Sequence, residues 1–97
     1  MAKESETRKK AIYFLSNKGW ITWYPSKVRF KQNDIFGIID LLALKGKKIR
    51  YIQLTTIPNV SRCRKKILNL FQEKKVKLPV EIWVWIKKEK KFKIEII

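Results

Sequence analysis

One carboxylate sits in apolar company. In Asp34-Ile35-Phe36-Gly37-Ile38-Ile39-Asp40-Leu41-Leu42-Ala43-Leu44, Asp40 interrupts a run of Ile, Leu and Ala. An ionised side chain there is costly unless it is paired, solvated or bound to a metal. The next apolar run, Ile49 to Thr56, is interrupted by Gln53 and Thr55, whose spacing puts both on one face of a strand. Lys45-Gly46-Lys47-Lys48 joins the runs as a turn, so the two read as a β-hairpin. A two-residue loop at Gly46-Lys47 pairs Lys45 with Lys48. Carried back along the strands, that register sets Asp40 across from Gln53, with Thr55 a diagonal neighbour. A slip of one residue would set Asp40 against Ile52 or Leu54 and turn Gln53 to the other face. Turn chemistry and the grouping of polar side chains therefore agree on one pairing. In it Ile39, Leu41 and Ala43 share the opposite face with Ile52 and Leu54, a surface on which helices can pack.

Composition narrows the chemistry. The chain has no His and one cysteine, Cys63, which excludes an intrachain disulfide and any nitrogen or sulfur metal cluster. A metal bound here is hard and held by oxygens. Lys and Arg number 24 against 8 Asp and Glu, a formal +16 with a pI near 10.2. Heat adaptation adds charge of both signs, whereas this excess is one-sided, and a field of that sign attracts nucleic acid. No apolar run reaches the length of a membrane helix, and Met1 to Lys10 is polar and charged, unlike a secretory leader. These features predict a soluble, cytoplasmic protein whose 97 residues form one domain.

The elements that must position the hairpin follow from periodicity. Glu4 to Lys18 reads as a helix with Ala11, Ile12 and Leu15 on one stripe, Ser5 or Thr7 as cap and Gly19 just past its end. Glu4 and Glu6 lie near its start, where the macrodipole favours negative charge, and either can serve the site as a ligand. Trp20 to Tyr24 reads as a strand ending at Pro25. Ser26 to Asp34 reads as a basic loop whose Lys27, Arg29 and Lys31 are candidate phosphate contacts. Pro58 ends the second hairpin strand, and Asn59 or Ser61 caps a helix over Arg62 to Lys75. That helix carries Cys63, Ile67, Leu70 and Phe71 on one stripe, with Arg62, Arg64, Lys65 and Lys66 around it as a surface able to face phosphates. Val80 to Ile86 is a strand apolar on both faces. Its Trp83 and Trp85 are either sandwiched in the sheet or buried at a homodimer contact. Phe92 to Ile97 supplies a last strand. The fold class is α/β, a central mixed sheet of about five strands flanked by two helices.

This order, with Asp40 on one hairpin strand and Gln53-Leu54-Thr55 on the next, resembles the PD-(D/E)XK nuclease superfamily. The local texture is similar to archaeal Holliday-junction resolvases in Lys18-Gly19-Trp20, Ile39-Asp40-Leu41-Leu42-Ala43-Leu44, Lys45-Gly46-Lys47 and Gln53-Leu54-Thr55. It is also similar to small proteins of that fold carrying Asp-X-Phe-Gly-X-X-Asp, here Asp34 to Asp40, and Gln-X-Thr-Thr, here Gln53 to Thr56. The resemblance covers roughly Glu4 to Leu70, and its motifs are short. It implies a restriction endonuclease-like fold and Mg²⁺- or Mn²⁺-dependent endonuclease activity on DNA, branched or junction DNA included. It further implies Asp40 as principal metal ligand, Gln53 as secondary ligand and Thr55 as the residue positioning water. Asp34 or Glu6 would supply a second carboxylate. Gln53 replaces the family Glu and Thr55 the family Lys, so the site loses one charge of each sign. Lys65 or Lys66 reaching back would restore the positive one. Arg8 falls where the resolvases carry their helical Glu. Resolvase-like proteins are dimers, which fits the Trp83/Trp85 strand as an interface. A nuclease-fold protein that binds nucleic acid without cutting it is the alternative.

Overall fold

The computed structural model describes residues 3–25 and 35–97, with side chains from Glu6 onward. Helix α1 (Lys3–Asn17) leads into β1 (Ile21–Trp23), the hairpin β2 (Leu41–Lys45) and β3 (Lys48–Thr56), a 3₁₀ turn at Ile57–Asn59, and α2 (Val60–Lys74). A second hairpin, β4 (Val80–Ile86) and β5 (Lys91–Ile96), follows. The strands form one sheet in the order β1-β2-β3-β4-β5, antiparallel except for the parallel pair β3 and β4. The protein is thus α/β, a five-stranded mixed sheet with two helices. Among the described residues no helix is long and apolar enough to cross a membrane.

Strand alternation divides the core in two. Leu41, Ala43, Ile52, Leu54 and Trp83 bury against Ala11 and Leu15 of α1. Val80, Ile82 and Val84, pointing the other way from β4, bury with Ile38 and Ile39 against Ile67 of α2. Each helix closes on a residue in the left-handed region. Gly19 adopts φ +87° after α1, a conformation that costs glycine little, and Lys45 Nζ donates to the Lys18 carbonyl at 2.8 Å. Lys75 closes α2 in the left-handed region with its N–H on the Phe71 carbonyl. Asn59 occupies the N-cap of α2 without capping it and donates instead to Thr56 Oγ1 at 3.2 Å.

The hairpin register is the expected one, Lys45 opposite Lys48 and Leu41 opposite Ile52. The first strand is shorter than expected, however. Ile35 to Ile39 folds into a tight turn, with Ile35 and Ile39 bridged and positive φ at Phe36 (55°) and Gly37 (75°). Consecutive positive φ values are those of a type I′ turn, which favours Gly in second place. As a consequence Ile39 belongs to the α2-side core and does not share a face with Leu41 and Ala43.

The Trp83 strand is interior. β3 and β5 pair with both its edges, and Trp83 is fully buried against Phe14 (5.7 Å between ring centroids) and Phe92 (5.2 Å). Of the two alternatives open to Trp83, the sheet interior is the one it takes. Half-buried Trp85 packs on Phe92 at 5.0 Å.

Candidate functional site

Asp40 stands at the point where the hairpin leaves its ladder. Its N–H donates at 2.9 Å to the carbonyl of Ile52, the register partner of Leu41. Two consecutive residues thus address one partner, and the offset swings the Asp40 carboxylate toward β3. Asp40 Oδ2 accepts from Leu54 N–H at 2.8 Å and from Gln53 Nε2 at 2.9 Å. The three polar side chains read from the sequence all lie buried together: Asp40 is 4% exposed, Gln53 8% and Thr55 8%.

The carboxylate fixes the amide. An ionised Asp oxygen only accepts, so Gln53 must present Nε2 to it, and Oε1 is turned the other way. Among the described residues Oε1 is buried and accepts no hydrogen bond. A buried carbonyl oxygen in that state gains from any cation or donor that reaches it. Thr55 Oγ1 is engaged from α2, where Cys63 Sγ donates to it at 3.3 Å.

These residues line a cleft of about 930 Å³ at the C-terminal ends of β3 and β4. Its walls come from α1 (Glu6, Thr7, Lys10), from the Ile57–Asn59 turn, and from Trp85, Lys87 and Lys90 at the end of β4. Glu6 therefore shares the cleft with Asp40, Gln53 and Thr55. Oxygen donors alone are present, which suits a hard divalent cation, and the orphaned Gln53 Oε1 fits such an ion. Among the described residues no group of three or more acidic, His or Cys side chains is positioned to hold a metal. The donor set rests on one carboxylate, one amide oxygen and Glu6.

The basic residues divide differently from expectation. Asp34, Lys27, Arg29 and Lys31 lie outside the described residues. Arg62, Lys65 and Lys66 are exposed on α2, yet neither Lys65 nor Lys66 lines the cleft. Lys66 borders a separate hollow with Phe36, Ile38 and Glu73. The reason is topological: α2 covers the opposite face of the sheet from α1, which supplies the cleft's wall. Arg64 is tied to Glu95 of β5 through two hydrogen bonds, one of 2.8 Å. That guanidinium holds the Glu95 carboxyl below the usual range against the opposing effect of burial. Arg8 places its guanidinium over the Tyr24 ring at 4.2 Å.

Lys10, Lys87 and Lys90 are the charged cleft residues that sequence reading missed. Two signals pointed to them. Lys10 follows Glu6 by one helical turn and so shares its face. A helix between β3 and β4 implies a parallel crossover, which brings the residues after Ile86 to the same end of the sheet as Thr55. Compared with protein-family models and with curated proteins, the chain matches none, so its likeness to the nuclease superfamily rests on the motifs themselves.

Proposed function

We propose that the protein is a metal-dependent, endonuclease-like protein acting on DNA, with branched DNA as the substrate class to test first. One observation supports this reading above the others. A carboxylate and a buried, unsatisfied amide oxygen meet in a cleft that also holds a second carboxylate and three lysines. In this reading Asp40 and Gln53 would hold Mg²⁺ or Mn²⁺, the Gln53 amide turning its oxygen in as the cation replaces the Nε2 hydrogen bond, and Glu6 would be the second carboxylate, with Asp34 the other candidate. Such a cation would supply Lewis-acid polarisation of the phosphoryl group and a more acidic bound water. Thr55, which lines the cleft, would position water, and the lysines would offset charge that develops on the phosphate. A restriction endonuclease-like fold, a cytoplasmic location and a homodimer suited to symmetric junctions belong to the same proposal. Such a dimer uses a surface other than Trp83.

A second reading is favoured by a specific contact. Asp40 Oδ2 already accepts two N–H donors, and the position of the family Lys carries Thr55, which accepts the Cys63 thiol. A site so satisfied suits a nuclease-fold protein that binds nucleic acid without cutting it. One experiment separates the two: cleavage and binding of branched and linear DNA with Mg²⁺ or Mn²⁺, comparing wild type with Asp40→Asn. Metal-dependent cleavage that disappears in Asp40→Asn supports the enzyme. Equal binding with no cleavage by either protein supports the binder.

A further inference from the structure

Taking the cleft as a nucleic-acid site, we infer that the phosphodiester backbone is gripped by Lys10, Lys87 and Lys90 and not by the basic face of α2. The strand then crosses the molecule over the C-terminal ends of β3 and β4, between α1 and the β4–β5 turn. Three observations converge on this. Lys10 of α1 is far in sequence from Lys87 and Lys90 of the β4–β5 turn, yet all three line the cleft that contains Asp40 and Gln53. Among the described residues none of the three is ion-paired, whereas Arg64 of α2 is paired with Glu95 and Lys91 with Glu89. Lys10 Nζ instead rests over the Trp85 ring at 5.2 Å, and that ring is braced by Phe92. An aromatic face positions an ammonium without neutralising it, so Lys10 keeps its charge for an anion.

The third observation is Lys90 itself. Its φ of +54° lies in the left-handed region, where glycine is less strained than any side chain. Phe36 and Lys75 adopt the same conformation in a turn and a helix cap away from the cleft, and in Lys90 it carries a cation to the cleft's rim. Lysines act on phosphate as point charges and read no base edge. The recognised chemistry is therefore a phosphodiester backbone in sequence-independent form.

The test is fluorescence anisotropy of a labelled oligonucleotide, single-stranded and duplex, titrated across a salt series without metal. Each lost phosphate contact lowers the salt slope by about 0.7 to 0.9. The Lys10→Gln/Lys87→Gln/Lys90→Gln protein is expected to lose about two to three units of slope, and the Lys65→Gln/Lys66→Gln protein less than one. An α2 variant that loses as much slope as the cleft variant overturns the inference and leaves nucleic-acid binding standing. Wild-type binding that is absent or indifferent to salt overturns the nucleic-acid reading itself. Lys90→Gly guards against misfolding, because it relaxes the turn. Weaker binding with an unchanged melting temperature is expected, and wild-type affinity in this variant counts against a role for Lys90.

Discussion

Gln53 Nε2 donates to Asp40 Oδ2 across 2.9 Å, so the direction of the amide is set by the charge of the carboxylate. Gln53→Glu removes that donor and places a second acceptor against Oδ2. Two carboxylates at that distance repel unless a cation or proton joins them. The variant is expected to lose about 1–3 kcal/mol of stability in the absence of metal. Millimolar Mg²⁺ should return most of it, while wild type gains less. Thermal melts of both proteins with and without Mg²⁺ check this, and equal Mg²⁺ responses would count against a metal between the two side chains.

Asp40 also holds the backbone. With Asp40→Ala, the buried Leu54 N–H and Gln53 Nε2 both lose their acceptor, at a cost of about 2–4 kcal/mol. Asp40→Asn retains a carbonyl oxygen and is expected to recover about half of that loss. Urea denaturation of the two variants should rank them in that order, and any cleavage activity should be lost in both.

The Arg64–Glu95 pair carries a pH signature. Hydrogen bonding to Arg64 lowers the Glu95 pKa in the folded protein, so the folded state binds fewer protons than the unfolded one between the two values. Stability from this pair is complete above the ordinary Glu range and is lost as pH falls through the depressed folded value. Denaturation midpoints measured from neutral to acid pH should fall less steeply for Arg64→Gln than for wild type.

Trp83 contributes to stability through the interior alone. It is fully buried, and its Nε1 donates to Glu81 Oε1 at 3.0 Å. Glu81 in turn pairs with Arg50, whose guanidinium lies 5.1 Å from the Trp83 ring. Trp83→Ala is expected to cost about 3–5 kcal/mol and Trp83→Phe less. Sedimentation of Trp83→Phe should match wild type at equal concentration; a changed oligomeric state would show that Trp83 reaches a partner.

Local chemistry made much of this molecule readable. The Gly46-Lys47 turn determines the register, and the Val80–Ile86 pattern identifies a strand covered on both faces. Gln53 and Thr55 were legible as a pair because period-2 alternation is strict within a strand, whereas Asp40 reaches Gln53 through the offset where the hairpin leaves its ladder. What escaped was set at a distance or by an unexpected turn. Phe36 is a poor advertisement for positive φ, so the Ile35–Ile39 turn was hidden inside an apolar run and Ile39 was placed on the wrong face. Lys65 and Lys66 are near the site in sequence, but the sheet stands between α2 and the wall of the cleft. Only the parallel pairing of β3 with β4 reveals that Lys87 and Lys90 belong to it.

That same pairing separates the chain into two hairpins that can each zip from its own tight turn, β2–β3 and β4–β5, and one seam that cannot. Closing the seam requires the whole of α2 to be in place, the slow, non-local step in a fold of this kind. The cleft straddles the seam, with Asp40 and Gln53 on one side and Trp85, Lys87 and Lys90 on the other. A chain with the seam still open would therefore hold the polar pair without the two lysines of the β4–β5 turn, so the cleft is completed only when the last, non-local pairing closes.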